Sequence, residues 1–174
     1  MDFELTEEQR MFQETARQFA DKEIAPIAEK VDEQGQFPHE TILQLGALGF
    51  MGIGVPQEHG GAGADTVCYV VALEEISRAC ASHGVIMSVN NSLYCDPLVR
   101  FGTEEQKRRF LVPVASGKTI GCFCLSEPNA GSDAANQEAT ARREGDFYVL
   151  NGTKNFVTNG AEAEYAIVFA TVSK

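Results

Sequence analysis

The densest group of potential ligand-binding side chains lies in residues 124–133, which read CLSEPNAGSD. This segment leaves an apolar run, turns at Pro128 and Gly131, and places hydroxyls, a carboxylate and backbone amides close together. Proline and glycine favour turns, and loops of this kind commonly carry binding sites. We therefore predict a ligand-binding loop at residues 124–133.

A second such group lies in residues 155–160, which read NFVTNG. If these residues form a strand, Phe156 and Thr158 stand on one side of it, because side chains alternate along a strand. By the same rule, Phe123 and Leu125 share a face of the strand predicted before the loop. Phenylalanine and valine on strands are core residues in most proteins. Only their joint occurrence with the polar loop favours a binding site.

Together with the strand before the loop, these segments resemble the first signature of the acyl-CoA dehydrogenases, flavoenzymes that desaturate fatty acyl thioesters. Residues 84–94 resemble the segment that lines the acyl pocket of short-chain, butyryl-type members, and residues 101–107 resemble the helix start that follows it. The family chain is much longer, and its remaining half carries a second helical domain with the catalytic base. We therefore expect the sequence to be the first part of a larger enzyme, with the C-terminal helical domain absent.

The resemblance implies FAD as the cofactor. A flavin that accepts hydride needs polar donors along its pyrimidine edge, an apolar or aromatic wall and dry surroundings. The residues that the resemblance assigns to the cofactor site are Phe123, Leu125, Ser126, Gly131, Ser132, Phe156, Val157 and Thr158. The first three belong to the pyrimidine and dimethylbenzene surroundings. The last three belong to the other wall, with Thr158 near N5. Many relatives have tryptophan where Phe156 stands, and phenylalanine keeps the apolar face but lacks the indole N–H.

The rest of the loop has two interpretations. By resemblance, Gly131 and Ser132 meet the CoA portion of the substrate, whereas a turn capped locally by Ser132 and Asp133 is the alternative. We keep Asp133 as a turn residue. We interpret Glu127 as fixing the loop rather than as a base, because Pro128 and the turn follow it.

Residues 84–94 also carry the predicted substrate wall. On a helix, Met87, Asn90, Asn91 and Tyr94 fall on one face. By resemblance, Met87, Asn90 and Tyr94 close the bottom of the acyl pocket, and the bulk of Met87 and Tyr94 favours short chains. The alternative is that these side chains belong to the core.

The implied reaction of the full-length enzyme is α,β-dehydrogenation of short-chain acyl-CoA to trans-2-enoyl-CoA, a step of fatty acid β-oxidation. The electrons then pass to an electron-transferring flavoprotein, and the family enzyme is a homotetramer. No position of this sequence matches the base, so we assign no catalytic residue and expect residues 1–174 alone to be inactive. The alternatives are an acyl-CoA oxidase or another branch of the family, or a truncated interaction module without catalysis.

Composition limits the other possibilities. The 174 residues are 44% hydrophobic, which suffices for a core, and carry a net charge of −11. This charge argues against nucleic acid or an anionic membrane as a partner. The five cysteines lie in apolar runs without zinc-ligand spacing, which favours a reducing compartment and no metal site. We expect a cytoplasmic bacterial protein, or a mitochondrial matrix protein if the chain is a matured eukaryotic one.

The hydrophobic pattern changes near Lys118. Earlier residues show three-and-four spacing with capping boxes at Thr6 and Thr103, which predicts helices. Prolines at positions 26 and 97 predict irregularities in the helices that contain them. The glycine-rich residues 51–63 predict an irregular surface turn. Later residues predict strands at 120–125, 140–143, 147–150, 155–158 and 165–170. We therefore expect an α+β chain, with an all-α domain at residues 1–116 and the start of an antiparallel β domain at residues 117–174.

Overall fold

The computed structural model describes residues 3–172, and in that range helices precede strands. The α-helices are α1 Glu7–Phe19, α2 Ala25–Gln34, α3 His39–Ala47, α4 Thr66–Ala79, α5 Ala81–Ser88, α6 Asp96–Phe101, α7 Glu104–Gln106 and α8 Val112–Ala115. The strands are β1 Gly121–Cys124, β2 Thr140–Glu144, β3 Phe147–Asn151 and β4 Tyr165–Val168. This order confirms the predicted α+β class.

Both predicted capping boxes are present. Gln9 N donates to Thr6 Oγ1 at 3.2 Å, and Thr6 N donates to Gln9 Oε1 at 3.0 Å. Thr103 and Gln106 repeat the arrangement at 3.2 and 2.8 Å. Each box satisfies two amides that the start of a helix otherwise leaves unpaired.

Three π-helical segments interrupt the helices, and each is followed by a proline. They are Ala20–Ile24, Val89–Cys95 and Lys107–Leu111, which precede Pro26, Pro97 and Pro113. Proline has no N–H, and its ring clashes with the carbonyl of the preceding turn, so a wider turn accommodates it. The irregularity predicted at Pro97 is therefore confirmed, and Pro26 distorts the helix without ending it.

The glycine-rich segment is irregular, as predicted, but it does not lie wholly at the surface. Phe50, Met51, Ile53 and Val55 are buried in the helical core, and 3-10 turns form at Phe50–Gly52 and Gln57–His59. The expectation of a surface turn was wrong because the segment alternates small glycines with large apolar side chains. The glycines allow close backbone approach while the apolar side chains fill the core.

The strands form two separate ladders. β1 pairs with β4 in parallel, with Phe123 opposite Ile167, and β2 pairs with β3 antiparallel, with Arg142 opposite Val149. The last strand was predicted at residues 165–170. The observed strand ends at Val168, and its side chains alternate between half-buried and exposed. Among residues 3–172, no helix combines the length and apolar character needed to cross a bilayer.

The strand predicted at residues 155–158 was wrong. The chain bends at Phe156, which has a φ of 56°. Asn159, just after these residues, has a φ of 66°. Positive φ values interrupt an extended strand. The argument that alternation places Phe156 and Thr158 on one side of a strand therefore does not apply.

Candidate functional site

The two predicted ligand-binding segments meet beyond the carboxyl end of β1. Asn155 N donates to Ser126 O at 2.8 Å. Lys154 Nζ donates to Leu125 O at 3.0 Å. The polar loop and the bend at residues 155–158 are therefore neighbours, as the family resemblance implied. They meet as two loops rather than as two strands.

A buried ion pair joins these segments. Lys154 Nζ lies 2.7 Å from Glu127 Oε1, and the two side chains are only 11% and 4% exposed. Glu127 also accepts from the amides of Glu138 at 2.5 Å and Ala139 at 3.0 Å. Lys154, together with the amide of Glu138, lowers the pKa of Glu127 to about 2. Glu127 is thus an ionised anchor of the loop, which agrees with its predicted fixing role.

The residues assigned to the first wall lie at the end of β1. Phe123, Leu125 and Ser126 are all half-buried. The Phe123 ring lies 5.1 Å from the Phe169 ring, measured between centroids. Within residues 3–172, the Ser126 hydroxyl makes no hydrogen bond to another side chain or backbone group. It is therefore available to a ligand.

The residues assigned to the second wall lie on the bend. The Phe156 side chain is 95% exposed, whereas Val157 and Thr158 are half-buried. The Thr158 hydroxyl has no hydrogen-bond partner among the described residues. An exposed aromatic ring beside two unpaired hydroxyls, Ser126 and Thr158, suits a flat aromatic ligand with a polar edge. The side chains present therefore fit a flavin.

The distal part of the polar loop is open to solvent. Gly131, Ser132 and Asp133 are exposed, and a 3-10 turn at Ala134–Asn136 follows them. The Asn136 amide donates to Asp133 O at 3.1 Å, so the backbone of Asp133 closes the turn. No side-chain cap from Asp133 accompanies that turn. The Ser132 hydroxyl is free to meet a ligand, and this role stays a prediction.

The residues assigned to the acyl pocket are buried. Met87 and Asn90 are fully buried, and Tyr94 is 2% exposed. Asn90 Nδ2 donates to Met51 O at 2.7 Å, and Asn90 Oδ1 accepts from Gly121 N at 3.0 Å. The Tyr94 hydroxyl donates to Phe110 O at 3.2 Å, and burial raises the pKa of Tyr94. These residues lie between the helices and the start of β1, and their contact with substrate stays a prediction.

Two residues at this junction were not identified from the sequence. Lys154 closes the buried ion pair, and Asn159 Nδ2 donates to Gly121 O at 3.2 Å and to Ile86 O at 3.5 Å. The residues to which the Lys154 and Asn159 side chains donate are all distant from them along the chain. The only local signal was the position of Lys154 and Asn159 on either side of the predicted wall residues.

The cysteines are free thiols and belong to no cluster of metal ligands in the part of the chain that the structure describes. No group of three histidine, cysteine or acidic side chains there could hold a metal ion. Cys122 Sγ and Cys124 Sγ are 3.8 Å apart on one face of β1. Burial raises the pKa of Cys122 to about 11, so this thiol stays protonated.

Family models cover nearly the whole chain. Residues 6–118 match the N-terminal domain of acyl-CoA dehydrogenases, and residues 122–174 match their middle domain. The chain is 53% identical over 171 residues to the human mitochondrial short-chain specific acyl-CoA dehydrogenase. The aligned region covers 98% of this chain and 42% of that protein. The chain thus spans less than half the length of this curated relative.

Solved structures share the fold. A structure described as the electron-transferring flavoprotein of Acidaminococcus fermentans has a TM-score of 0.97 and 45% identity, covering 99% of this chain and 46% of that one. Butyryl-CoA dehydrogenase from Megasphaera elsdenii has a TM-score of 0.95 and 40% identity, covering 100% and 46%. Two further structures with this fold are described as holding FADH2 or FAD.

Proposed function

The chain belongs to the acyl-CoA dehydrogenase family, and we propose that the protein containing it dehydrogenates short-chain acyl-CoA thioesters with FAD. The observation that supports this best is the junction beyond β1. There the exposed Phe156 ring and the unpaired Thr158 hydroxyl lie on a bend that Lys154 joins, through Leu125 O and Glu127, to the loop that carries Ser126. The short-chain relative and the FAD-containing structures support the substrate class and the cofactor.

The residues of this chain hold and orient the cofactor. FAD would supply the acceptor for the hydride that leaves Cβ of the acyl group, and a base of the full-length protein would take the proton from Cα. Phe123, Leu125, Phe156 and Val157 would supply apolar contact to the flavin ring. Ser126 would donate a hydrogen bond to its pyrimidine edge, and Thr158 would donate one to N5.

Substrate recognition rests on two other places. Gly131 and Ser132, exposed on the loop, meet the CoA portion through a backbone amide and a hydroxyl. Met87, Asn90 and Tyr94 close the far end of the acyl pocket, where the bulk of Met87 and Tyr94 favours a short chain. The product is the trans-2-enoyl thioester.

The whole protein requires more than residues 1–174. No residue of this sequence matches the family's base, so a preparation of residues 1–174 alone is expected to bind FAD weakly and to turn over no substrate. The proposed domains are an α-helical one at 1–116 and the start of a middle β domain at 117–174. The proposed partners are an electron-transferring flavoprotein and further copies of the chain in a homotetramer. The proposed location is the cytoplasm of a bacterium or the mitochondrial matrix.

Anaerobic mixing of the full-length protein with butyryl-CoA tests the proposal. Bleaching of the flavin absorbance with formation of the enoyl thioester is the expected result. A purified full-length protein without flavin absorbance, which FAD does not restore, would contradict it and favour a non-catalytic module. Rapid reoxidation of the substrate-reduced protein by air would identify an oxidase instead.

A further inference from the structure

The bend at residues 155–158 is held at both ends by side chains that the proposed chemistry does not use. At one end, Lys154 Nζ donates to Leu125 O, Glu127 Oε1 and Gln137 Oε1 at 3.0, 2.7 and 3.1 Å. An ammonium group has three hydrogens, so the Lys154 donors are all used. The lysine therefore connects the bend to the end of β1 and to the polar loop at once.

At the other end, Asn159 connects the bend to the start of β1 and to the helical part. Its side-chain amide donates to Gly121 O at 3.2 Å and to Ile86 O at 3.5 Å. The residue is buried. Gly121 is the first residue of β1 and Leu125 follows its last residue, so the two side chains tie the bend to both ends of that strand.

The backbone between the anchors is in an unfavourable conformation. Phe156 and Asn159 both have left-handed φ values, at 56° and 66°. Side chains with a Cβ adopt this region at a cost in free energy, and such conformations persist only where the surroundings impose them. Phe156 itself, being almost fully exposed, makes no packing contact that could impose its conformation. The neighbouring residues that hydrogen bonds hold in place are Asn155, through its backbone N–H, and Lys154 and Asn159, through their side chains.

We propose that Lys154 and Asn159 are positioning residues for the flavin, which hold the Phe156 ring and the Thr158 hydroxyl at a fixed place relative to β1. The inference rests on the proposed function. Loss of either anchor lets the bend relax to ordinary negative φ values. The ring and the hydroxyl then leave their places even though neither has been altered.

Two substitutions in the full-length FAD-bound protein separate positioning from simple stabilisation. Lys154→Met removes the three donated hydrogen bonds and leaves the aliphatic stem. Asn159→Gly removes the amide but keeps a residue for which positive φ is no strain. Lys22→Met and Lys22→Arg are matched controls, because the Lys22 side chain is exposed on the segment Ala20–Ile24 and pairs only with its neighbour Glu23.

The measurements are the visible circular dichroism of bound flavin, the FAD dissociation constant and the rate of flavin reduction, all well below the thermal midpoint. Each anchor variant is expected to alter the dichroism, to weaken FAD binding about tenfold and to slow reduction about tenfold, an effect of about 1.4 kcal/mol. Lys154→Arg, which keeps the charge and the donors, should recover part of each loss. The controls should match the wild type.

Hydrogen exchange of residues 155–160 in the flavin-free protein gives a readout independent of activity. Faster exchange confined to this bend in the anchor variants supports the inference. A lowered thermal midpoint with unchanged exchange, dichroism and FAD affinity would overturn it and leave the residues as ordinary stabilising contacts. A wild-type protein that binds no FAD would instead overturn the proposed function, and with it this role.

Discussion

Gly121 packs its backbone directly against the ring of Tyr94, so closely that a Cβ at position 121 would lie 2.2 Å from Tyr94 Cγ. Real Cβ atoms are not found at such distances. Asn90 and Asn159 hold the same glycine through its N–H and its C=O. The first residue of β1 is therefore fixed from three directions, and the strand that leads to the residues proposed to hold the cofactor begins at a defined point.

Gly121→Ala should lower the stability of the protein by about 1–3 kcal/mol, because the buried Tyr94 ring has no space to move away. Denaturant titration of the full-length protein measures this. Gly54→Ala is the matched control, since a Cβ there meets nothing within 4 Å. A Gly121→Ala protein as stable as the control would show that the helix and the strand can separate freely.

Tyr94→Leu should shift substrate preference from butyryl-CoA toward octanoyl-CoA. Each extra methylene that the enlarged pocket buries is worth about 0.8 kcal/mol. Tyr94→Phe, which keeps the ring and loses only the hydrogen bond to Phe110 O, should keep the preference. The ratio of kcat/KM for butyryl-CoA and octanoyl-CoA measures this preference. A lowered thermal midpoint with an unchanged ratio would assign Tyr94 to the core alone.

Thr158→Ala should slow flavin reduction about tenfold, which corresponds to about 1.4 kcal/mol of transition-state stabilisation. The fold should not change, because the Thr158 hydroxyl has no partner among residues 3–172. Thr158→Ser should retain most of the rate. Stopped-flow reduction with butyryl-CoA is the measurement, and equal rates in wild type and Thr158→Ala would remove the hydroxyl from the proposed site.

Stability should depend on Glu127 in acid. The folded protein lowers the pKa of Glu127 to about 2 from an ordinary value of 4.5. The carboxylate therefore stabilises the fold fully above about pH 4.5, and this contribution is lost as the pH falls toward 2. The thermal midpoint of Glu127→Gln should lie below that of the wild type at neutral pH, and the gap should narrow through this window. A constant gap would contradict the assignment.

His83 should also make the stability of the protein depend on pH, at higher pH values than Glu127 does. It is fully buried, and its Nε2 shares a hydrogen bond of 2.8 Å with Thr41 Oγ1. Burial lowers the pKa of His83 from 6.5 to about 4, so its contribution is complete above pH 6.5 and falls as the pH drops toward 4. Denaturation of wild type and His83→Gln across this range should show a difference that shrinks with acid.

Local signals predicted the features that depend on neighbouring residues. The caps at Thr6 and Thr103, the irregularity before Pro97 and the hairpin turn at Gly145 all follow from side chains within a few positions of each other. The fixing role of Glu127 was also predicted from the turn that follows it. The family resemblance placed the two binding segments together.

Features set by distant contacts were not predictable in this way. The sequence predicts a strand at residues 155–158 because their side chains favour strands, whereas the chain bends at Phe156, between the long-range hydrogen bonds of Lys154 and Asn159. The burial of Met51 and Ile53 was missed for a similar reason. Asn90 and Asn91 bond to the backbone of that segment, and nothing in the segment itself indicates their position.

The parallel pairing of β1 with β4 joins distant parts of the chain. Gly121 pairs with Tyr165, so closing this ladder encloses the polar loop, the β2–β3 hairpin and the bend between the two strands. Contacts between distant residues form more slowly than those within helices or hairpins, because a long loop must close first. We therefore expect the helical part, whose Asn90 and Tyr94 contact Gly121, to fold before the β1–β4 ladder, and the two loops beyond β1 to become ordered last.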